Sequence, residues 1–205
     1  IRGFSEVLLA RYSRQLDARG QEFLKRASDS CSHMDRLIED LLKLSRVGRA
    51  EFQPTSVDLS AQAWTIISQL QQAEPPRLVQ VVIAPGLRAW GDERLLRVAL
   101  ENLLRNAWKF TRDQPKATIE FGVENDSAAI FHIRDNGVGF DMAFADKLFG
   151  VFQRLHSTSE FPGSGVGLAT VQRSVNRHGG RIWANASVDQ GATFFFTLPG
   201  NEHKS

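Results

Sequence analysis

Asn102, Asn106 and Lys109 stand at spacings of four and three in the stretch ENLLRNAWKFT, residues 101–111, and so share one face of a helix turning at about 100° per residue. Asparagine is a mediocre helix former because its amide competes with the backbone, and a merely solvated face favours Glu, Gln or Lys. Two amides and an ammonium on one face therefore indicate a task. Amide oxygens are hard, neutral ligands suited to hydrated Mg²⁺, and an ammonium nearby suits the phosphates that such an ion accompanies. A second stretch, DNGVGFD (135–141), follows a predicted strand. There Gly137 and Gly139 let the backbone pass close to a ligand, and Asp135 at the strand end is an acceptor for the exocyclic amine of adenine. A third, GSGVGLA (163–169), opens a helix, where exposed backbone N–H groups and the macrodipole favour an anion such as a polyphosphate. Its GxGxG spacing is neither the Walker loop, which requires GK and Ser or Thr, nor the dinucleotide fingerprint. A fourth, LFGVFQRL (148–155), places Phe149 and Phe152 three apart, as core residues of one helical turn, and sets Arg154 within reach of a terminal phosphate. The polar run 156–162 would serve as a mobile lid. Taken singly, each stretch is also what a solvated helix face, an Asp-Asn-Gly turn, a glycine cluster or a surface arginine looks like.

The elements that must position these groups are legible in the pattern. Leu96, Leu100, Leu103, Leu104, Ala107 and Phe110 form the apolar stripe of the central helix, which Asp92 can cap. Before it come a helix over 60–72 closed by Pro75 and Pro76, a strand over 78–83, and a short strand over 88–90. After it, strands at 117–124 and 128–134 form a hairpin through Asn125, Asp126 and Ser127. A helix from Val166 to about Arg177 ends at Gly179 and Gly180, and strands at 181–186 and 193–198 turn at 189–191. Helices on one side of a mixed sheet, or an α/β sandwich, are the simplest arrangement. The N-terminal part is helical, with Ile1, Phe4 and Leu8 on one helix and, after an Asp17 cap, the seam Phe23, Ala27, Cys31, Met34, Ile38, Leu41 on another. Such a hairpin buries its seam best against a second copy, so a homodimer through residues 1–50 is expected. Residues 51–57, with Pro54, read as a linker, 58–200 as the second domain, and 201–205 as a tail.

Composition bounds the partners. Hydrophobic residues make up 42% and charged residues 23% of the 205, as in ordinary soluble domains. The net charge of +2, with basic residues scattered, gives no support for a nucleic-acid partner. Cys31 stands alone, which excludes an internal disulfide and fits a reducing compartment. With no membrane-length apolar run and no signal peptide, a cytoplasmic location is expected. The chain opens at Ile1 inside a helical pattern without a start signal, as a fragment of a longer protein would, so an upstream sensor domain or membrane tether is expected.

In this order and at these separations, ENLLRNAWKFT, DNGVGFD, FGVFQRL and GSGVGLA resemble the N, G1, F and G2 boxes of the sensor histidine kinases, members of the ATPase superfamily shared with gyrase and Hsp90. RGFSEVLL and HMDRLIEDLLKLSRV are similar to the two helices of that family's dimerisation and phosphotransfer domain, and FQRLH with EFPGSGVGLAT resembles phytochrome-like members. The resemblance implies an α+β protein: a helical hairpin that dimerises into a four-helix bundle, followed by an α/β sandwich ATPase domain. It implies ATP and Mg²⁺ as cofactors, with Asn102 and Asn106 as N-box amides, Asn106 as the Mg²⁺ ligand and Lys109 as a phosphate contact. Asp135 becomes the adenine acceptor, Gly137 and Gly139 the G1 backbone, and Gly163, Ser164, Gly165, Val166, Gly167 and Leu168 the G2 cradle. Asn106, Lys109 and Arg154 would carry catalysis. Ser164 stands where Thr is frequent. The family's acceptor histidine, followed by an acid and ending in Pro-Leu, belongs just before the segment matching Ile1 and is not in this chain. His33 lacks that acid and proline, and His132, His156, His178 and His203 read as structural or solvated, without zinc-ligand spacing. The implied activity is transfer of the ATP γ-phosphoryl to a histidine and on to an aspartate of a response-regulator receiver domain, catalysed by positioning and charge neutralisation. Other readings are a water-directed ATPase with Glu101 activating water, and a non-catalytic nucleotide-binding scaffold.

Overall fold

In the computed structural model, residues 1–49, 51–124, 130–156, 160–161 and 163–198 are described. The expected turn at 125–127, residues 157–159 and 162 of the expected lid, and the tail at 201–205 lie outside them. Two compact units divide between Lys43 and Leu44.

The first unit holds α1 (Arg2–Tyr12), a 3-10 turn at Ser13–Gln15, and most of α2 (Ala18–Arg49). Asp17 accepts the Gly20 N–H at 2.7 Å, the N-terminal cap expected of it, and Gln21 donates its amide to the Ser13 carbonyl at 2.8 Å. Along the seam the large side chains Phe23, Met34, Ile38 and Leu41 are exposed, Phe23 at 56% and Ile38 at 57%.

The second unit opens on the last turns of α2, where Leu44 and Val47 are buried. Its elements are β1 (Pro54–Asp58), α3 (Leu59–Ala73), β2 (Val79–Ile83), β3 (Arg88–Asp92), α4 (Glu93–Phe110), β4 (Ala117–Val123), β5 (Ile130–Asp135), α5 (Gly167–Arg177), β6 (Ile182–Ala186) and β7 (Ala192–Thr197). Five strands form a mixed sheet in the order β2-β4-β5-β7-β6, with β2 parallel to β4 and the other pairs antiparallel. The apolar faces of α3, α4 and α5 join one face of that sheet in a single core that includes Ile66, Leu100, Leu104, Phe121, Ile133, Val171 and Phe196.

Residues 54–57, expected within a linker, instead belong to a strand, Pro54–Asp58, that pairs antiparallel with β3. Pro54, which cannot donate to a ladder, begins it, and Val57 is buried. The apolar stripe of α4 also differs in one place. Trp108 is buried, its indole N–H donating to Glu74 at 3.3 Å, while Phe110 is only half-buried. The reason is spacing: Trp108 follows Leu104 and Leu100 at four-residue steps, whereas Phe110 follows Asn106 and Asn102 and belongs to their line.

Candidate functional site

Period-two alternation along β5 puts Asp135 on the same face as Phe131 and Ile133, the core face, and its residue is 5% exposed. The carboxylate accepts the Gly137 N–H at 2.9 Å and a backbone N–H from Ala192. Burial nevertheless dominates and pushes its pKa up to about 6. At Gly137 a Cβ would overlap the Phe110 carbonyl, and at Gly139, with φ +57, it would overlap that of Ser187. The backbone between them is fixed by Val138 N–H to the Phe110 carbonyl (3.2 Å) and Asp189 N–H to the Val138 carbonyl (2.8 Å).

Asp92 starts α4 and thereby sets its register. Its carboxylate accepts N–H bonds from Arg94, Leu95 and Gln53 and a 2.9 Å ion pair from Arg94. Burial raises its pKa, but those bonds outweigh that effect and leave it at about 2. From this fixed start α4 delivers three polar groups with different fates. Asn102 donates its amide N–H to the Val98 carbonyl at 2.8 Å, and its Oδ1 lies where a Cβ on Gly167 would sit, so it spaces α4 from α5. Asn106 is half-buried, and among the described residues its amide has no hydrogen-bond partner. Lys109 has no carboxylate partner among the described residues; its ammonium lies 4.1 Å from the Phe110 ring centre and 3.5 Å from a Cβ built on Gly163. Burial, and then the positive charge of Arg154, lower its pKa to about 8.

The glycine stretch meets these groups at the start of α5. Val166 is the N-cap residue and makes no side-chain cap bond, so first-turn N–H groups of α5 remain without an intrahelical partner. Gly165, at φ +73, turns the backbone where a Cβ would crowd the Gln153 carbonyl. Ser164 Oγ lies 3.4 Å from the Val166 N–H, and the Val166 and Leu168 side chains turn inward, to the interior and against the core. Whatever those two offer a ligand is therefore backbone.

The aromatic pair of the F-like stretch departs from the expected helical turn. Phe149 packs against the core, but Phe152 is 53% exposed at φ +64, because its N–H turns to the Gly165 carbonyl at 2.9 Å. Arg154, expected on a terminal phosphate, spends its planar fork on two carbonyls, Gly163 at 2.5 Å and Phe161 at 2.7 Å. Two residues that sequence reasoning left out of the site belong to it: Phe110, and His156, whose Nε2 is 2.9 Å from the Gly139 carbonyl. The four-residue spacing from Asn106 to Phe110 was the available signal for the first. Two buried histidines, His178 and His132, lie away from the site. His178 takes the Asp92 N–H on Nε2 at 2.9 Å and reaches the Ser174 carbonyl through Nδ1 at 2.7 Å, while His132 is 6% exposed against Gly122 on the outer face of the sheet. Glu101 pairs with Arg97 of its own helix at 3.3 Å. Among the described residues no cluster of His, Cys, Asp or Glu could hold a metal ion.

The site thus brings together a buried carboxylate, an amide with no hydrogen-bond partner among the described residues, an ammonium and the uncapped start of α5. Residues 91–202 match the family profile described as histidine kinase-, DNA gyrase B- and HSP90-like ATPase, and residues 1–50 match the His Kinase A (phospho-acceptor) domain. Cyanobacterial phytochrome A of a Nostoc species is 34% identical over 97% of this chain and 26% of its own length. The methanogenesis regulatory histidine kinase FilI of Methanothrix harundinacea is 39% identical over 81% of this chain and 19% of its own. Full-length ShkA, solved in complex with AMPPNP, shares the fold: TM-score 0.67 and 24% identity over 97% of this chain and 42% of that one. The chain spans about a quarter of the length of the curated phytochromes it matches.

Proposed function

The chain belongs to the histidine kinases of the gyrase- and HSP90-like ATPase family, and from that premise we propose that it forms the dimerising and nucleotide-binding core of a sensor kinase. In this reading it transfers the γ-phosphoryl of ATP to a histidine for relay to a response-regulator aspartate.

The observation that carries the reading is that the end of α4 meets both glycine turns: the Phe110 carbonyl accepts the Val138 N–H (3.2 Å) beside Asp135's turn, and the Lys109 ammonium lies 3.5 Å from where a Cβ on Gly163 would stand. A buried carboxylate at a strand end accepts the purine amine. The ammonium of Lys109 and the free N–H groups of α5 meet the phosphates. Asn106 offers the amide oxygen that would hold Mg²⁺, since its side chain has no protein partner among the described residues. When bound there, Mg²⁺ neutralises charge on the transferring phosphate. Asn102 acts from behind by spacing the two helices, and Arg154 by holding the turn that carries Gly163. Such a site works by alignment and electrostatics, which is most of what phosphoryl transfer asks of a protein.

In this reading the acceptor is none of the chain's own histidines. His132 and His178 are buried, His156 is bonded within the site, and His33 is followed by Met34 and Asp35 rather than by an acid directly. The acceptor, the sensor domain and any membrane tether are supplied by the longer protein, which acts in the cytoplasm as a homodimer through residues 1–50. Among the described residues no helix is long and apolar enough to cross a membrane.

The test is incubation of the full-length protein with γ-labelled ATP and Mg²⁺. Acid-labile, base-stable phosphate is expected on the full-length protein, and none on the present chain or on full-length protein carrying Asn106→Ala. Steady phosphate release into water without a phosphohistidine would contradict the kinase reading and favour the water-directed one.

A further inference from the structure

Two bodies of backbone form the site's opposite ends. The purine end is Asp135 with the turn through Gly139, fixed by the Val138 and Phe110 backbone bond (3.2 Å) and by Asp189 (2.8 Å). The phosphate end is the glycine loop, to which the segment after Phe149 is bound at two points, at Gly165 and Gly163, with a third bond to Phe161. Phe152 N–H donates to the Gly165 carbonyl (2.9 Å), and the Arg154 guanidinium donates to the carbonyls of Gly163 (2.5 Å) and Phe161 (2.7 Å).

His156 links the two ends. It follows by two residues Arg154, which is bonded to the phosphate end, and its Nε2 reaches across to the Gly139 carbonyl at 2.9 Å. A carbonyl only accepts, so Nε2 carries the hydrogen. The imidazole also meets two rings: Phe110, 5.3 Å away between centroids, and Phe161, 5.5 Å away and edge-on. Gly139 gives this contact a fixed anchor, because both the N–H and the carbonyl of the preceding Val138 are bonded, to Phe110 and Asp189.

We propose that His156 is a positioning residue that fixes the separation between the purine and phosphate ends of the site, through its Nε2–H bond to Gly139 and its packing against Phe110. This rests on the nucleotide-binding reading. Holding two ends of a site at a set distance helps a ligand that engages both and does nothing for one that engages a single end, because only the first loses affinity when the ends drift apart.

The experiment compares two probes, the Mg²⁺ complex of AMPPNP and adenosine, each competed against a fluorescent ATP analogue on the whole chain. His156→Phe keeps a ring of similar size and removes the donor; His156→Gln removes the ring and keeps an N–H at similar reach. AMPPNP should bind His156→Phe about tenfold more weakly, as expected when one hydrogen bond and the order it imposes are lost. Adenosine should bind as to wild type, and His156→Gln should recover most of the AMPPNP affinity. His156→Asn, whose shorter side chain falls short of Gly139, gives the same contrast with His156→Gln if the Phe variant does not fold. Equal AMPPNP affinity in wild type and the variants would overturn the proposal and leave the nucleotide reading standing, and so would an equal loss for both probes. A wild-type chain that bound neither probe would overturn both.

Discussion

Asp135 and Lys109 carry opposite protonation demands, and their surroundings push both toward neutrality of charge. The Asp135 carboxyl, raised by burial to about 6, must be ionised to accept strongly from a purine amine. The Lys109 ammonium, lowered by burial and by Arg154 to about 8, must be protonated to meet phosphate. Nucleotide affinity measured against pH should therefore rise through about 6, level off, and fall beyond about 8. Asp135→Asn should flatten the acid limb and Lys109→Arg should carry the alkaline limb to higher pH. The same carboxyl makes a stability prediction of fixed sign. Its folded pKa lies above the unfolded value of 3.8, so the stability it contributes is fully present below that value and is lost as pH rises through about 6. Thermal melts of the ligand-free chain should show Asp135→Asn more stable than wild type at pH 7.5, by about 1 kcal/mol or more, with no gain at pH 4. A mutation that strengthens the fold while it weakens binding marks a residue held for function. Asp135 was legible in sequence as an acceptor at a strand end, and its burial was readable from the alternation Phe131, Ile133, Asp135. The use of Arg154 was not: the same RL dipeptide fits a phosphate or two backbone carbonyls, and only the course of the chain through Gly163 decides.

At the scale of elements, α4 and the start of α5 do the positioning, and each depends on a residue at its end. Asp92 satisfies the first N–H groups of α4 and receives Gln53 from before β1. Asp92→Ala should destabilise the second unit by about 1–2 kcal/mol in a denaturant titration at pH 7, the usual cost of a lost N-terminal cap. With its folded pKa at about 2, its contribution is present above the unfolded value of 3.8 and fades as pH falls toward 2, so wild type and variant should converge in acid. Gly165→Ala should cost some stability and weaken nucleotide binding, because strain at φ +73 and crowding of the Gln153 carbonyl both fall on the turn that aims the α5 N–H groups. Helices and long strands were legible because their apolar period repeats over many residues. The strand at 54–58 was not, since five residues hold little pattern and their partner lies thirty or more positions on. Nor was the turn at Phe152, whose left-handed backbone is imposed by a bond to Gly165 rather than by its own type.

For the whole molecule, the two units divide the labour, and the exposed seam of the first predicts its partner. Phe23, Met34, Ile38 and Leu41 follow one stripe and lie open in a single chain, so a second copy should cover them. Light scattering should report a dimer for the chain and a monomer for Ile38→Glu, with nucleotide affinity unchanged, since that seam lies outside the second unit. The central claim concerns the second unit: its glycine-bordered site binds a magnesium-complexed purine triphosphate. Calorimetric titration of the chain with AMPPNP in Mg²⁺ tests it most directly. A single-site isotherm that weakens at least about tenfold in Asp135→Asn is the predicted result. No heat from well-folded protein, or equal affinity in the variant, would contradict it.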